Sequence, residues 1–398
     1  MIKKDTTKFQ YSPNQIRKVI RKSDFWKYKL DKDQLITLTE SIATEFAENN
    51  SETKGLETID FRHKKIFITN NIYDTLTIRK TSEILESLFH VNSFSREQEI
   101  LQLKYILETE KSFSIVRTDI KNFFESISFY KIISLLQTKG IYNNSFLLHL
   151  NNIKRELDNH GHTSLPRGLA LSSTLSEIYL EEFDNLIRSN RDILYYSRYV
   201  DDIVIITKEN SQKKILDFIK LNLPEGLILN RSKTRFYHSK STEKINYLGY
   251  SLDLSNALKI GISKNKLGKI KKRIILSLKQ FIKDSNFEIL LLRIKFLTGA
   301  TELRIADRAK KLVVGIKYQY ALCDESEIQI NLKELDNFWY SVLVSKKYYI
   351  SNKLRAKLTT ENLIKLKQMS FKSGYSFTIT NSLNPDTISK IQEVWKYE

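Results

Sequence analysis

The stretch "YYSRYVDDIVIIT", Tyr195 to Thr207, places two adjacent carboxylates, Asp201 and Asp202, between two runs that predict β-strands. A hairpin turn accepts Asp because its short side chain bonds nearby backbone groups. The flanking runs are too apolar for an exposed tip, however, and buried carboxylates are costly unless a cation neutralises them. Two interpretations are therefore open: an acidic turn, or a site for a hard cation such as Mg²⁺.

A third carboxylate favours the cation site. Asp119 ends the apolar run "SFSIVRTDI" (Ser112–Ile120), and a helix is predicted to begin near Ser128. Two strands that each end in Asp bring three carboxylates to one sheet edge. Such a group can hold two metal ions about 4 Å apart, as in-line phosphoryl transfer requires. The alternative for Asp119 is a helix-entry residue with no further role.

Composition narrows the class of protein. The chain has 398 residues, a formal net charge of +19 and one cysteine, Cys323. It is long enough for two or three core-forming units, and it lacks a disulfide framework or a Cys-rich zinc site. No apolar run suggests a membrane span or a signal peptide, so we expect a cytoplasmic protein with no membrane partner. The positive charge favours nucleic acid as a partner, although charge for solubility alone is the other explanation.

Periodicity predicts an α+β fold, with strands and helices mixed through the middle of the chain and helices at both ends. The segment "KKIFITNNIYDTLTIRK" predicts a strand–turn–strand, and "KINYLGYSLD" predicts one strand. Helices are predicted over residues 12–50, 81–110, 145–159, 171–190 and from Ser263 onward.

Three segments, in order, closely resemble the palm motifs of reverse transcriptases: "RTDIKNFFESIS", "LPRGLALSSTLSEIYL" and "RYVDDIVII". "LNRSKT" (Leu229–Thr234) and "NYLGYSLD" (Asn246–Asp253) resemble the fourth and fifth expected segments. The resemblance covers residues 60–255 and is bacterial in style, akin to retron and group II intron enzymes. "LPRGLALSSTLSEIYLEEFD" resembles the defence-associated and abortive-infection reverse transcriptases most, and among them the type 3 defence group.

The resemblance implies a right-hand polymerase with fingers, a palm of antiparallel sheet plus helices, and a helical thumb with a C-terminal extension. The implied divisions are residues 1–110 for the N-terminal helical region and fingers, 111–255 for the palm with inserted finger elements, 256–330 for the thumb, and 331–398 for the extension.

The same resemblance assigns catalytic roles. Asp119, Asp201 and Asp202, with the backbone carbonyl of Ile120, would bind two Mg²⁺ ions, for which Mn²⁺ is a substitute. Phe124 would be the steric gate that selects dNTPs; the alternative is ordinary core packing, since Phe123 is adjacent. The implied nucleotide-binding residues are Arg79, Lys80, Phe123, Phe124, Arg167, Gly168 and Lys233.

Three of these need comment. Arg167 stands where the commoner family pattern has Gln. Gly168 would let the backbone approach the base pair and template closely. Lys233 would assist pyrophosphate departure, with a solvated surface lysine as the alternative.

Nucleic-acid contacts are expected at the hairpin, at a primer grip and on a basic thumb helix, where an amphipathic solvated helix is the alternative. They are Tyr199, Tyr247, Gly249, Lys264, Lys266, Lys269, Lys271, Lys272 and Arg273. Trp339, between Phe338 and Tyr340, is expected in a core, on a stacking surface or at a protein interface.

The predicted function is that of an RNA-directed DNA polymerase, a nucleotidyltransferase that makes cDNA from dNTPs on a dedicated non-coding RNA in antiphage defence. Expected partners are the RNA template, the DNA product, dNTPs, and a partner protein or second copy of the chain. One alternative is a template-free or protein-primed DNA synthase of the abortive-infection type. Another is a catalytically inactive RNA-binding protein, against which the three intact aspartates argue.

Overall fold

A computed structural model describes residues 10–61, 63–91, 95–304, 311–380 and 385–395. The first elements along the chain are α1 Pro13–Lys18, α2 Lys22–Lys27, α3 Lys32–Ala47, β1 Leu56–Phe61, β2 Lys64–Thr69, α4 Ile72–Leu88, α5 Arg96–Thr109, β3 Ser114–Asp119, α6 Phe129–Thr138, α7 Asn144–Asn159, α8 Ala170–Arg188, β4 Ile193–Tyr199, β5 Asp202–Thr207, α9 Gln212–Asn222 and β6 Arg235–His238. They are followed by β7 Ile245–Tyr247, β8 Tyr250–Asp253, β9 Lys259–Ile262, α10 Lys264–Asp284, α11 Phe287–Thr298, β10 Ala300–Arg304, β11 Lys311–Gly315, α12 Ile316–Gln319, α13 Glu325–Val344, α14 Tyr349–Lys357, α15 Thr360–Lys367, α16 Phe371–Ser376, β12 Thr378–Thr380 and α17 Pro385–Gln392.

The chain forms two compact units. The first unit contains residues 1–95 and 112–238, and the second contains residues 96–111 and 239–398. Each unit has a hydrophobic core of its own. The α+β class predicted from the sequence is confirmed, whereas the division into fingers, palm, thumb and extension stays a prediction.

The central sheet of the first unit has the strand order β4-β5-β3-β6, and every neighbouring pair is antiparallel. Strand β5 is the apolar run "DIVIIT", in which every residue after the first is buried. The predicted hairpin of β4 and β5 and the predicted strand β3 are confirmed. The sheet therefore brings the beginning of β5 to the end of β3, where the acidic residues lie.

The strand–turn–strand predicted for residues 64–80 is wrong in its second half. Strand β2 pairs with β1, an upstream strand, and the chain then enters helix α4. Asn71, which the sequence analysis placed in a turn, caps this helix because its Oδ1 accepts the N–H of Asp74 at 2.8 Å. Tertiary packing overrides the β-branched composition, since most of the helix is buried and α4 packs against α8.

The single strand predicted for "KINYLGYSLD" is instead the hairpin of β7 and β8, and β9 adds a third strand to it. Leu248 and Gly249 have φ angles of 48° and 88°. Two consecutive positive φ angles are typical of the tight type I′ turn, which matches the twist of the flanking strands. The Leu-Gly pair is therefore the turn.

Helix α10 confirms the predicted amphipathic helix, and its apolar residues Leu267, Ile270, Ile274, Leu278 and Phe281 are buried in the second core. The sequence analysis missed the small sheet β11-β10-β12 within this helical half. Trp339 is 2 % exposed and donates from Nε1 to the Leu366 carbonyl at 3.2 Å. Trp339 is therefore a core residue, whereas Tyr340 is 57 % exposed. None of the helices in the described ranges combines the length and apolarity needed to cross a membrane.

Candidate active site

Two of the three carboxylate residues lie opposite each other on neighbouring strands of the central sheet. Asp119 ends β3, Asp202 begins β5, and the two residues are direct cross-strand partners. Asp201 lies in the turn before β5, next to Val200, which has a φ of 59°. The N–H of Ile120 donates to the Asp201 carbonyl at 3.0 Å, which ties this turn to the end of β3. Cross-strand partners have Cβ atoms about 5 Å apart, so the register itself brings the carboxylates together.

The site carries an excess of negative charge that is at least partly buried. Burial raises the pKa of Asp201, and the nearby charge of Asp119 raises it further. Burial also raises the pKa of Asp202, while the Arg117 guanidinium, 3.3 Å from its Oδ1, opposes that rise. One carboxylate oxygen of Asp119 is buried without a hydrogen-bond partner among the described residues. The arrangement favours a bound cation, because the carboxylates repel one another when all are ionised.

Lys233 supplies one positive charge from the loop before β6. Its Nζ donates to Asp119 Oδ2, and this hydrogen bond raises the pKa of Lys233. The loop is held beside β3 because the N–H of Asn230 donates to the Asp119 carbonyl at 2.8 Å. The fourth motif is therefore placed against the first. The part of Lys233 in pyrophosphate departure stays a prediction.

A divalent cation fits the site in donor type. Mg²⁺ and Mn²⁺ bind carboxylate oxygens, and one buried oxygen of Asp119 has no hydrogen-bond partner among the described residues. Among the residues that the structure describes, no three His, Cys, Asp or Glu side chains gather into a group that could hold a metal ion. Lys233 contacts Asp119, and Arg117 contacts Asp202. The predicted two-ion set, which includes the Ile120 carbonyl, stays a prediction.

The two adjacent phenylalanines have different surroundings. Phe123 is 1 % exposed and belongs to the first core. Phe124 begins a short 3₁₀ turn and is only partly buried. The Arg167 guanidinium lies 5.2 Å from the centre of the Phe124 ring, a cation–π distance. The Arg167 charge also opposes the rise that burial causes in the pKa of Asp201.

Arg167 is held in place by an acidic residue that the sequence analysis did not single out. Its Nε and Nη2 donate to the two carboxylate oxygens of Glu125 at 3.1 and 3.2 Å. Lys64, at the start of β2, lies 4.0 Å from the same carboxylate. These contacts lower the pKa of Glu125 against the effect of its burial. Glu125 thus binds two cations, one of which, Arg167, also contacts the Phe124 ring. The position of Glu125 directly after Phe124 was the signal available in the sequence.

Gly168 lies where its backbone closely approaches strand β2. Its φ is +107°, and a Cβ at this position would lie 2.4 Å from the carbonyl oxygen of Phe67 on β2. The Phe67 N–H donates to the Arg167 carbonyl at 2.7 Å. Glycine is therefore required here by the close backbone approach to strand β2, and the expected approach to the base pair and template stays a prediction.

Arg79 and Lys80 on helix α4 were expected to contact the triphosphate. Each of them forms an ion pair with an acidic residue of the chain instead. Arg79 bonds Asp24 through Nη1 at 2.6 Å and Nη2 at 3.1 Å. The side chain of Lys80 is fully buried and bonds Glu83 at 3.0 Å. A fully buried ammonium has no access to a nucleotide, so that assignment is corrected for Lys80. The cause is the helix that replaces the expected strand.

Residues 56–252, which contain these elements, match the family model for reverse transcriptases, described as RNA-dependent DNA polymerases. Just under half of the chain is therefore similar to reverse transcriptases. The α+β polymerase fold predicted from the motifs is confirmed for this part of the chain. No curated protein matches the sequence.

Several solved telomerases are similar to the chain in structure. Apo telomerase from Candida tropicalis has a TM-score of 0.41 and 14% identity over 92% of this chain and 70% of that one. Telomerase from Candida albicans, solved with a fragment of telomeric RNA, has a TM-score of 0.39 and 13% identity over 89% of this chain. A truncated Candida tropicalis telomerase has a TM-score of 0.38 and 15% identity over 57% of this chain. This chain spans 59% of the truncated telomerase and 65% of the Candida albicans protein.

Within residues 56–252, the strand before the aspartates is anchored from helix α8. Arg198 on β4 bonds Asp184 at 2.6 Å and Glu177 at 2.6 Å, and it donates to the Val200 carbonyl at 3.0 Å. The sequence analysis missed this network, because nothing local pairs Arg198 with residues on α8. Tyr199 follows it and lies directly opposite Asp202. Its contact with nucleic acid stays a prediction.

Several residues assigned to nucleic acid beyond this point are held inside the second unit. Tyr247 is 1 % exposed, so its ring is a core group and the assignment of that side chain to a primer grip is corrected. Gly249 supplies the turn and accepts the Ser263 N–H at 3.0 Å. Lys266 lies over the Tyr250 ring at 4.7 Å and donates to the Gln319 carbonyl at 3.1 Å. Burial lowers the pKa of Lys266.

The remaining cations of helix α10 divide into two groups. Lys271 bonds Glu334 at 2.6 Å, and Arg273 lies over the Trp395 ring at 5.6 Å. Lys264, Lys269 and Lys272 are exposed, and no ion pair within the described ranges involves them.

Two further exposed lysines of this helix, Lys279 and Lys283, were missed by the sequence analysis. With Lys269 and Lys272 they follow helical spacing, so all four lie on one face. We call these four residues the α10 lysine stripe. At 1.5 Å per residue the stripe is about 21 Å long.

Proposed function

We propose that the chain is an RNA-directed DNA polymerase that extends a primer with dNTPs. The observation that carries the proposal is the direct cross-strand pairing of Asp119 and Asp202, with Asp201 in the adjoining turn, inside residues 56–252, which match the reverse transcriptase family model. The reaction is attack of a primer hydroxyl on the α-phosphorus of a dNTP, with breakage of the bond to pyrophosphate. Divalent cations, two Mg²⁺ or Mn²⁺ in their place, would supply activation of the hydroxyl and stabilisation of the leaving oxygen.

The residues of the chain would divide the remaining work. Asp119 and Asp201 would hold the cations, because one Asp119 oxygen is buried without a hydrogen-bond partner among the described residues, and burial and the Asp119 charge raise the pKa of Asp201. Lys233 would release Asp119 and carry a proton toward the departing pyrophosphate. Lys64 and Arg167 would contact the phosphates of the nucleotide. Both cations pair with the same carboxylate, Glu125, which can neutralise only one of the two positive charges.

Sugar selection would depend on Phe124. Its ring contacts Arg167 on one side, and the neighbouring Phe123 ring, 5.2 Å away between centres, belongs to the core. A fixed ring under the incoming sugar leaves no space for a 2′-hydroxyl, so deoxyribose would fit and ribose would clash.

The exposed cations of α10 would contact the backbone of a template–primer duplex. The α10 lysine stripe and Lys264 carry charges that no carboxylate in the described chain neutralises. Phosphate contacts of this kind make binding salt-dependent and independent of sequence.

Template use can be tested on the full-length protein with the nucleic acid that co-purifies with it. Incorporation of labelled dNTPs should be lost in Asp201→Asn and should be sensitive to prior RNase treatment, and the sequenced product should match the RNA. Incorporation that survives RNase would instead support a template-free or protein-primed synthase. Co-purifying RNA with no incorporation by the unmodified protein would support the inactive RNA-binding protein.

We also propose that this activity uses a dedicated non-coding RNA in the bacterial cytoplasm and serves antiphage defence. The support is the resemblance of "LPRGLALSSTLSEIYLEEFD" to defence-associated reverse transcriptases. Cells that carry the gene with its flanking sequence should resist at least some phages, and the Asp201→Asn version should not. Equal plating of a broad phage panel on both strains would contradict the defence role without affecting the polymerase assignment.

A further inference from the structure

The turn between α13 and α14 exposes two neighbouring tyrosines. Tyr348 is 52 % exposed and Tyr349 is 72 % exposed, and the preceding residues Lys346 and Lys347 are exposed as well. Lys353, one turn further along α14, lies with its Nζ 4.6 Å from the centre of the Tyr349 ring. We call these five residues the tyrosine–lysine turn. The turn lies beyond residues 56–252, the matched domain.

The backbone of this turn is fixed by side chains from α14. Asn352 Nδ2 donates to the Lys346 carbonyl at 3.1 Å. Arg355 donates to the carbonyls of Val344 and Ser345, each at 3.3 Å. Ser351 Oγ donates to the Val342 carbonyl at 2.5 Å. The tyrosines are therefore presented from a preorganised turn, so a ligand would meet them with little ordering cost.

The charged side chains of the segment that carries the tyrosines all have one sign. Residues 341–360 contain five basic side chains and no acidic one. Arg355 and Lys357 are engaged with neighbouring oxygens, Lys357 with Ser285 at 3.0 Å. Neither Lys346 nor Lys347 forms an ion pair within the part of the chain that the structure describes. Exposed aromatic rings beside unneutralised lysines suit a ligand with flat apolar faces and a polyanionic backbone.

We propose that the tyrosine–lysine turn binds single-stranded nucleic acid. Each tyrosine ring would stack on one base, and Lys346 and Lys347 would contact the phosphates on either side. Stacking of this kind tolerates any base, because every base has a flat face. A duplex would not bind here, since its bases are already stacked on each other. The inference rests on the proposed function only in taking nucleic acid as the ligand.

The test measures binding of a short, unstructured, labelled RNA to the full-length protein by fluorescence anisotropy. The double variant Tyr348→Ala with Tyr349→Ala should bind more weakly, by roughly fivefold to a hundredfold for each ring removed. The double variant with Phe at both positions should keep most of the affinity, because Phe retains the stacking face. The matched control is Tyr105→Ala, a tyrosine 66 % exposed on α5 of the same unit, which should change nothing.

The lysines are tested through salt. Lys346→Gln with Lys347→Gln should flatten the dependence of log affinity on log salt by about 0.7 for each phosphate that a lysine no longer neutralises. A blunt-ended duplex should compete poorly for this surface. Unchanged affinity of the Ala variant, or equal losses in the Ala and Phe variants, would overturn the proposal. A variant that binds RNA normally but loses an acidic protein partner would overturn it in favour of a protein interface.

Failure of this proposal can be separated from failure of the proposed function. Asp201→Asn should bind the single strand like the unmodified protein, because its change lies in the other unit. Normal incorporation by a Tyr348/Tyr349 variant that binds RNA normally would contradict the stacking surface alone. Tyrosine-dependent RNA binding by a protein with no incorporation would contradict the polymerase alone.

Discussion

The acidic edge of the central sheet and the basic face of helix α10 are built in opposite ways. At the sheet edge, backbone pairing fixes the positions of Asp119 and Asp202, and their charges are partly buried. Helix α10 is held in place by the burial of its apolar residues, whereas the side chains of the lysine stripe are exposed to solvent. Buried like charges couple strongly to one another, whereas exposed charges are screened. We therefore expect single substitutions to have large effects at the sheet edge and small ones on the helix.

The largest effect is expected for Asp201→Asn. If Asp201 binds a catalytic cation as proposed, its loss should cost about 4 kcal/mol or more of transition-state stabilisation, a rate loss of about a thousandfold or more. Incorporation of labelled dNTPs by full-length protein measures this. A variant that keeps near-normal incorporation would remove Asp201 from the catalytic group.

The same substitution is expected to lower activity but to leave thermal stability unchanged or to raise it. The pKa of Asp201 is raised in the folded state, so its ionised form costs stability at pH values above that pKa. This cost disappears as the pH falls below the unfolded value of about 3.9. Asp201→Asn should therefore melt at the same or a higher temperature than the unmodified protein near pH 7 without added metal. A clear decrease in melting temperature would contradict the buried, repelled carboxylate.

Arg198→Met tests the support behind the sheet edge. The change leaves Asp184 buried without its cation, which typically costs about 3–5 kcal/mol. Denaturant unfolding of the full-length protein should show that loss in the free energy of unfolding. Arg231→Met, an exposed arginine of the same unit, is the control and should change it by less than about 0.5 kcal/mol. Similar values for both variants would exclude a stabilising role for the network.

Phe124→Ala tests the proposed steric gate. Relief of a clash worth about 1–3 kcal/mol should raise rNTP use relative to dNTP by roughly fivefold to 150-fold. Paired incorporation assays with the native RNA measure the ratio. Phe123→Ala is the control for position, and we expect it to lower stability by about 3–5 kcal/mol because its ring is core. Loss of dNTP preference in Phe123→Ala alone would place the gate one residue earlier.

The smallest effect per residue is expected on the helix. Replacing Lys269, Lys272 and Lys279 with Gln should flatten the salt dependence of duplex binding by up to about 0.9 for each phosphate that these lysines neutralise. Lys271→Gln is the control, because that lysine already pairs with Glu334. Equal slopes for the triple variant and the unmodified protein would show that the stripe does not contact the phosphates of the duplex.

The sequence predicted the sheet edge well because its geometry is local in each strand. A run such as "IVII" must be buried, and an antiparallel hairpin aligns the residues at its end. The failures had a different cause. Asn71 reads as a turn residue and also caps helices, and only the packing of α4 against α8 decides between them. The buried position of Lys80 follows from that same choice.

By itself, the sequence determined the strands β3, β4 and β5, the three aspartates at their ends, and the amphipathic helix α10, because each depends on short-range periodicity. Only the tertiary structure decided which charges are available. It joined Arg167 and Lys64 to Glu125, Arg198 to Asp184, Lys233 to Asp119 and Lys266 to the Tyr250 ring. The physical reason is that the state of a charged side chain depends on neighbours that are distant in the chain, and the pattern of a single segment does not specify them.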